Sequence, residues 1–232
     1  MSDYLFDPPE IAAVPVVGEG ALFPVRRIFC VGRNYAAHAA EMGFEVDREA
    51  PFYFTKSAEA LQASGTTIPY PPGTKDFHHE MELVLAIGAP AFRVEPAAAM
   101  DAIYGYCCGL DMTRRDLQIA SREKQRPWDP GKDVEGSAVM APITRRADFG
   151  AIGDQRIHLE VNGAPRQDAR LSDLIWKVDE IVSHLSGFYH LRPGDLIMTG
   201  TPAGVGAVKP GDRITGGIEG LSDIALTIGD PD

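Results

Sequence analysis

Glycine and proline interrupt this chain at short intervals, and their spacing limits the length of every helix and strand. There are 24 glycines and 18 prolines among 232 residues, and they form no repeat. Between them stand short apolar or alternating runs that are typical of strands, such as Arg27-Ile-Phe-Cys-Val-Gly32 and Ile157-His-Leu-Glu-Val161. Helical patterns are few and do not alternate regularly with these runs. The sequence therefore predicts an α+β fold with a rolled, barrel-like mixed sheet rather than a doubly wound parallel sheet.

A few local patterns predict particular elements. Asn34 can cap a short helix that ends at Gly43, and the residues from 114 to 124 have helical composition. Ser172 is predicted to open the longest helix, because the residues from 174 to 188 carry an apolar stripe at helical spacing. Asn162-Gly163 predicts a tight hairpin between two strands.

The length, composition and net charge of the chain limit the number of its domains and the kinds of partner it can bind. The length suits one domain with one core, and we predict an extended arm over residues 1–21 followed by a single domain over residues 22–232. The net charge of −11 argues against binding to nucleic acid or to an anionic membrane. No apolar run is long enough to cross a membrane, and the first residues carry no basic, apolar leader pattern. The three cysteines, Cys30, Cys107 and Cys108, are expected to be reduced thiols of a cytoplasmic protein.

Three carboxylates form a candidate metal site. Glu80 and Glu82 are two apart on a predicted strand, so both point to one face while Met81 and Leu83 point to the other. Asp111 ends a second predicted strand and could join them. Acidic groups that lie side by side are costly to bury unless a cation lies between them, and an all-oxygen site selects Mg²⁺, Mn²⁺ or Ca²⁺ over zinc. The alternative is a solvated pair of acids on an exposed strand face. No lysine is expected beside these carboxylates.

His38 and Glu41 form a second candidate pair. They are three residues apart and share a face of the predicted short helix. A carboxylate beside an imidazole orients the ring and raises its basicity, as activation of water requires. An ordinary exposed pair on a helix has the same spacing, so the pattern leaves both interpretations open. His78 and His79, which precede the carboxylate strand, either bind the metal or support its ligands, or they are loop or structural histidines.

Five collinear motifs together resemble the fumarylacetoacetate hydrolase family, over residues 22–228. The segments that carry the resemblance are Val31-Gly-Arg-Asn-Tyr-Ala-Ala-His-Ala-Ala-Glu-Met42, His79-Glu-Met-Glu-Leu83, Gly109-Leu-Asp-Met-Thr-Arg-Arg-Asp-Leu-Gln118, Pro127-Trp128 with Gly131-Lys132, and Thr199-Gly-Thr-Pro-Ala-Gly-Val-Gly206. Two segments differ from the family pattern. Asp133-Val-Glu135 follows Lys132, and Thr55-Lys56-Ser57 stands where Lys-Pro is usual.

The resemblance implies a fold, a cofactor and residue roles. It implies the family's mixed β-roll as the catalytic domain, usually in a homodimer, with Mg²⁺ or Mn²⁺ as cofactor. The implied site residues are Glu80, Glu82 and Asp111 as metal ligands, His38 and Glu41 as the water-activating pair, Lys132 as a catalytic cation, and Arg115, Gln118 and Thr201 in the substrate pocket. A second substrate carboxylate would need a cation, and the candidates are Arg114, Arg115 and Arg122, since 115 and 122 lie seven apart on one helix face. The alternative is that these arginines are surface residues that aid solubility.

The implied substrate is a small diketo acid. The chain is most similar to family members that hydrolyse the C–C bond of an acylpyruvate, and fumarylpyruvate, cleaved to fumarate and pyruvate in gentisate degradation, is the favoured substrate. The alternatives are decarboxylation of oxaloacetate and isomerisation or decarboxylation of a carboxymethyl-hydroxymuconate. All of these reactions pass through an enolate, but only hydrolysis needs an activated water. We also expect the segment from 34 to about 50 to act as a lid over the site.

Overall fold

The strands are short, as the spacing of glycine and proline predicts. The structure is a computed structural model that describes residues 4–41, 43 and 48–232. The first strands are β1 Ala13–Pro15, β2 Leu22–Pro24, β3 Arg27–Gly32, β4 Phe52–Lys56, β5 Leu61–Ala63, β6 Thr66–Pro69, β7 Phe77–His79, β8 Met81–Ile87 and β9 Ile103–Asp111. The remaining strands are β10 Thr113–Arg114, β11 Ala138–Met140, β12 Thr144–Arg145, β13 Arg156–Val161, β14 Ala164–Arg170, β15 Asp195–Met198, β16 Gly206–Val208, β17 Arg213–Ile218 and β18 Ile224–Gly229.

The helices are also short, and half of them are single turns of four residues. The α-helices in the described part of the chain are α1 Ala36–Glu41, α2 Pro96–Ala99, α3 Arg115–Glu123, α4 Asp129–Lys132, α5 Arg146–Phe149 and α6 Val178–Phe188. Short 3-10 turns lie at Ala58–Ala60, Met100–Ala102 and Leu171–Asp173. Within these residues no helix is both long enough and apolar enough to cross a membrane.

Most strands belong to two mixed sheets. The larger one has the order β4-β3-β15-β8-β9-β11-β5, with β12 added against β9, and it contains both parallel and antiparallel pairs. The second has the order β14-β13-β17-β18-β6. The pair β1-β2 and the small sheet β10-β7-β16 complete the strand pairing. This curled mixed arrangement with few helices confirms the predicted α+β roll.

Strand β8 lies in the middle of the larger sheet and divides the core into two parts. Met81, Leu83 and Leu85 pack on one side, in the larger apolar cluster, whereas Val84 and Ala86 pack on the other side, in a smaller cluster. This alternation is the strict period of two that a fully buried strand imposes. The face of the smaller cluster is the one that carries Glu80 and Glu82 at the start of the strand.

The predicted start of the longest helix at Ser172 is wrong. Helix α6 begins at Val178; Val178, Ile181, Val182 and Leu185 of its apolar stripe are buried, whereas Phe188 at its end is exposed. The preceding residues form a 3-10 turn at Leu171–Asp173 and then a bend at Trp176. The fully buried Asn34 binds that bend: its amide donates to the carbonyl of Trp176 at 3.0 Å, and its side-chain oxygen accepts from the Trp176 N–H at 2.7 Å. These tertiary hydrogen bonds take the backbone groups that the first helical turn would use.

Two further local predictions have clear outcomes. Asn162 and Gly163 have φ values of 54° and 76° and join β13 to β14, which confirms the hairpin and its left-handed turn. In the N-terminal segment, β1 pairs with β2, and Val14 is buried in the smaller apolar cluster. The proposed boundary between an arm at residues 1–21 and a domain at 22–232 stays a prediction.

Candidate active site

The candidate site lies at one end of the larger sheet, where several strand ends meet. Strands β3 and β15 are parallel and both end there, while β8 and β4, antiparallel to them, begin there. Strand β9 is antiparallel to β8 and also ends there. Helix α1 follows β3, and the loop at residues 199–205 follows β15. Loops and strand ends at one edge can therefore supply side chains from distant parts of the sequence.

The three predicted carboxylates come together at this end. One oxygen from each of Glu80, Glu82 and Asp111 lies within 4.8 Å of the others, and the residues are 4%, 2% and 0% exposed. This burial rules out the alternative of a solvated acidic strand face. Glu82 stands opposite Gly109 in the register of β8 and β9, and the side chains of Val84, Met198 and Met140 fill the space beside that glycine.

Three cations surround the carboxylates, so the expectation that no lysine lies beside them is wrong. The Lys132 ammonium donates to Glu80 Oε2, Asp111 Oδ2 and Thr113 Oγ1, each at 2.7 Å. The Lys56 Nζ lies 3.0 Å from Asp111 Oδ1, and the Arg115 guanidinium forms an ion pair with Glu80. Local sequence patterns do not predict this arrangement, because Lys132 lies on α4, far along the chain from β8.

The electrostatics of the cluster fit a bound divalent cation. Burial and the neighbouring charges of Asp111 and Glu80 raise the pKa of Glu82 well above its ordinary value. Burial also raises the pKa of Glu80, but Lys132 and Arg115 outweigh it and the net pKa lies below the ordinary value. Asp111 Oδ1 accepts no hydrogen bond despite its closeness to Lys56. A cation held by these oxygens would satisfy that atom and favour ionised Glu82.

The His38–Glu41 pair forms as predicted. His38 Nδ1 lies 3.1 Å from Glu41 Oε2, and the histidine is 6% exposed and lines the same cavity as the carboxylates. Glu41 also accepts the backbone N–H of Gly204, at 3.1 and 3.2 Å from its two oxygens. The other loop glycine, Gly200, donates its N–H to Glu82 Oε2 at 2.7 Å. One glycine-rich loop thus holds a candidate metal ligand and the candidate catalytic pair.

Replacing Gly204 with alanine should destabilise the fold and reduce activity. Gly204 has φ +96°, and a Cβ there would overlap the backbone oxygen of Arg166. Gly211→Ala is the matched control, since Gly211 has φ +90° but open space around it. Both changes should cost about 1–2 kcal/mol for the left-handed backbone, with roughly 1–3 kcal/mol more for overpacking at Gly204. Urea denaturation measures both; equal losses would contradict the crowding.

The cavity beside the carboxylates has a volume of about 160 Å³ and receives most of the predicted substrate residues. Arg115 donates to Gln118 Oε1, which leaves the amide NH₂ of Gln118 to other partners. Thr201 Oγ1 accepts from Gln167 at 2.8 Å, so its own proton is available for donation. The predicted substrate residues that line the cavity are Arg115, Gln118, Arg122 and Thr201.

Arg114 is not brought to this cavity. Its Nη1 donates to the carbonyl of Pro130 at 3.3 Å, and it is absent from the residues that form the cavity wall. The reason is the alternation along β10, which turns Thr113 toward Lys132 and therefore turns Arg114 away. Its suggested contact with a substrate carboxylate stays a prediction that this placement does not support.

The histidines before β8 have structural surroundings. His79 is buried, with Nδ1 3.4 Å from Gln167 Oε1, and burial lowers its pKa to about 4. His78 Nε2 lies 2.8 Å from Asp76. In the described part of the chain, the cluster of side chains that could hold a metal, here called the metal-type cluster, consists of Glu80, Glu82 and Asp111 and contains neither histidine. Of the two suggestions for this pair, the non-ligand one therefore fits the structure.

The segment after Lys132 also turns away from the carboxylates. Asp133 accepts the N–H and the hydroxyl of Ser57, at 2.9 and 3.0 Å. A proline at position 57 would have no N–H to donate, so the two departures from the family pattern form one interaction. Of the proposed lid, residues 42 and 44–47 lie outside the described residues, and its closure stays a prediction.

Sequence reasoning missed an aromatic wall on this cavity. Phe52, Phe54 and Trp128 line it together with Arg33. Phe52, Phe54 and Lys56 are two residues apart along β4 and therefore share the face that points to the site. That period-two pattern was the available signal in the sequence. No local pattern shows that Trp128 reaches the same wall, because that contact depends on tertiary packing.

The fold and the site define a class: a curled mixed sheet whose edge carries buried carboxylates suited to a divalent cation, next to a histidine–glutamate pair. The family model for the fumarylacetoacetate (FAA) hydrolase C-terminal region matches residues 27–228. The chain belongs to the fumarylacetoacetate hydrolase family.

Three proteins illustrate which members of the family this chain is similar to. The chain is 54% identical to fumarylpyruvate hydrolase of Ralstonia sp over 191 residues, which cover 81% of this chain and 98% of that protein. It is 38% identical to human mitochondrial oxaloacetate tautomerase FAHD1, over 89% of this chain and 93% of that protein. The crystal structure of fumarylpyruvate hydrolase from Pseudomonas aeruginosa in complex with Mn²⁺ and pyruvate superposes with a TM-score of 0.95 at 45% identity, over 98% of this chain and 100% of that chain.

Proposed function

We propose that this protein is a metal-dependent hydrolase that cleaves the C–C bond of an acylpyruvate, with fumarylpyruvate converted to fumarate and pyruvate. The observation that carries the proposal is the convergence on one cavity of the buried cluster Glu80, Glu82 and Asp111 and of the His38–Glu41 pair. The similarity to two fumarylpyruvate hydrolases supports the choice of acyl group. Mg²⁺ or Mn²⁺ is the proposed cofactor.

The charge of the cluster matches such a substrate. Three carboxylates face three cations, Lys56, Lys132 and Arg115, so the cluster is close to neutral when all are ionised. A divalent cation then leaves an excess of about two positive charges. A fumarylpyruvate dianion balances this excess, although the whole protein carries a net charge of −11. The site therefore supplies locally the positive charge that the acidic chain lacks elsewhere.

In the proposed reaction the chain's own groups activate water and bind the substrate. When bound, the metal supplies Lewis-acid charge that stabilises a developing enolate. Glu41 orients His38, which removes a proton from a water molecule as the water attacks the acyl carbonyl carbon C4. The Gln118 amide donates to the oxyanion that forms, and Lys132 stabilises it by its charge. Thr201 and Arg115 bind the oxygens of the pyruvate end.

Cleavage of the C3–C4 bond then releases the two products. The C3–C4 bond breaks with its electron pair on C3, and the C4 fragment leaves as a carboxylic acid that ionises to fumarate. The C3 carbanion is delocalised onto the 2-oxo group as the enolate of pyruvate. A proton from His38 converts this enolate to pyruvate. The net reaction consumes one water, and no oxidant or reductant is needed.

Conversion of oxaloacetate is the second candidate. It is supported by relatives named oxaloacetate tautomerase, such as the Arabidopsis thaliana protein, which is 40% identical over 87% of this chain. Oxaloacetate also forms an enolate, so it would use the same carboxylates. A reaction without an attacking water, such as its decarboxylation, does not need water activation at His38, and this difference separates the candidates. Isomerisation of a carboxymethyl-hydroxymuconate would likewise need no water.

A substrate panel tests the proposal. Purified protein loaded with Mg²⁺ or with Mn²⁺ should be assayed with fumarylpyruvate, acetylpyruvate and oxaloacetate under identical conditions. We expect the highest kcat/KM for fumarylpyruvate and no turnover of it after the metal is removed. A protein that converts only oxaloacetate would replace the first candidate with the second.

Location and assembly are part of the proposal. We propose a cytoplasmic enzyme, supported by three buried free cysteines, as a reducing compartment favours. A homodimer is supported by apolar side chains exposed near the N-terminus, including Leu5, Phe6 and Ile11 at 95%, 85% and 77%. Light scattering coupled to size-exclusion chromatography measures the molecular mass in solution. A mass near 25.1 kDa would indicate a monomer instead.

A further inference from the structure

The aromatic wall of the cavity has a cation at each end. Lys132 Nζ lies 4.9 Å from the ring centre of Phe54, and the Phe54 and Trp128 rings are 5.8 Å apart. Trp128 in turn meets Phe52 edge to face at 5.4 Å, and the Arg33 guanidinium lies 4.8 Å over the Phe52 ring. The wall therefore leads from the carboxylate cluster to Arg33 at the other end of the cavity.

The inner cations lie beside the carboxylate cluster. Lys132 bonds to Glu80 and Asp111, and Arg115 bonds to Glu80 and Gln118. Arg33 and Arg122 line the same cavity, and Arg33 comes from the bend between β3 and α1. It is thus placed to add charge at the outer end, away from the metal-type cluster.

Arg33 also has an unusual backbone. Its φ is 53°, in the left-handed region that glycine and asparagine adopt more readily. Strained non-glycine residues of this kind cluster at binding sites. Strain alone does not make Arg33 special, because Arg93 has the same φ of 53° and lies 5.0 Å over the ring of Phe92. Arg93 is not part of the cavity wall, so it has the same conformation without the same neighbours.

We propose that Arg33, with the wall of Phe52, Phe54 and Trp128, forms the acyl subsite and binds the distal carboxylate of the substrate. This inference rests on the proposed acylpyruvate hydrolysis and names the part of the site that selects the acyl group. A planar, unsaturated acyl group lies flat against the rings, and its terminal carboxylate meets the guanidinium in a charge-assisted hydrogen bond. An acetyl group has neither the flat chain nor the second charge.

The test compares two substrates in Arg33→Gln. For fumarylpyruvate, kcat/KM should fall roughly 10- to 100-fold, the typical effect of losing a charge-assisted hydrogen bond. For acetylpyruvate it should change by less than about 3-fold, within the effect of a surface substitution. Arg93→Gln is the matched control, and it should leave both substrates unchanged. Arg33→Lys, which keeps the charge, should recover part of the preference for fumarylpyruvate.

A binding measurement keeps this inference separate from the proposed reaction. In the Mn²⁺-loaded His38→Ala protein, the affinities for fumarylpyruvate and acetylpyruvate are measured by calorimetry, with and without Arg33→Gln. A selective loss for fumarylpyruvate supports the subsite even if the unmodified protein hydrolyses neither compound. An equal loss for both substrates, or no loss for either, would overturn it, whereas failure of the proposed function shows as absent hydrolysis by the unmodified protein.

Discussion

Replacing Glu82 with alanine should abolish hydrolysis of fumarylpyruvate and weaken Mn²⁺ binding by more than about 100-fold. Changes to groups that only orient metal ligands commonly cost 10- to 100-fold, and this change removes a ligand itself. The Gly200 N–H fixes the position of the Glu82 carboxylate, so the variant removes a well-placed ligand group. Mn²⁺ titration followed by electron paramagnetic resonance measures the affinity, and a coupled pyruvate assay measures the rate.

The control for this variant is an exposed acid of the same type. Glu123, at the end of α3, is exposed and lies outside the metal-type cluster, so Glu123→Ala should keep both metal affinity and rate. Treatment of the unmodified protein with EDTA should remove activity, and adding Mg²⁺ or Mn²⁺ should restore it. Full activity in Glu82→Ala, or after thorough EDTA treatment, would refute the assignment of the carboxylates.

Replacing His38 with alanine should reduce hydrolysis of fumarylpyruvate by about 10²–10⁴-fold, the usual contribution of a general base. Any decarboxylation of oxaloacetate should fall much less, because that reaction has no attacking water. The variant removes the imidazole that Glu41 orients but leaves Glu80, Glu82 and Asp111 in place. Steady-state rates with both substrates at saturating Mn²⁺ give the comparison.

The Glu41→Gln variant serves as the companion to His38→Ala. It keeps the side-chain shape and an acceptor for the Gly204 N–H, but it removes the negative charge beside the His38 ring. Hydrolysis should fall by less than in His38→Ala, and metal affinity should stay unchanged. Equal loss of hydrolysis and decarboxylation in His38→Ala would mean that His38 does not act by activating water.

Strand patterns predicted much of the carboxylate cluster, since period two places Glu80 and Glu82 on one face and Asp111 ends the neighbouring strand β9. The same rule could have found Phe52, Phe54 and Lys56 on β4. The position of Lys132 between the carboxylates could not be predicted from the local pattern, because it depends on how α4 packs against β4 and β10. Cations that reach a site through tertiary packing leave no spacing in the sequence.

Helix boundaries were less predictable than strand faces. Most of the apolar stripe through 174–188 is buried, yet α6 begins only at Val178, because Asn34 binds both backbone groups of Trp176. A residue predicted as a helix cap for α1 thus acts on a segment 142 positions away. Local propensity cannot show such a competition, because the competing partner is distant in the chain. The suggested contact of Arg114 with the substrate has a related weakness, because the start of α3 was predicted one residue early and strand β10 was not predicted.

Product analysis with fumarylpyruvate tests the central claim most directly. The Mn²⁺-loaded protein is incubated with fumarylpyruvate, and the products are quantified by nuclear magnetic resonance beside a metal-free sample. The proposed function predicts fumarate and pyruvate in equal amounts, formed only in the presence of the metal. Unchanged fumarylpyruvate in a protein that binds Mn²⁺ and converts oxaloacetate would contradict it.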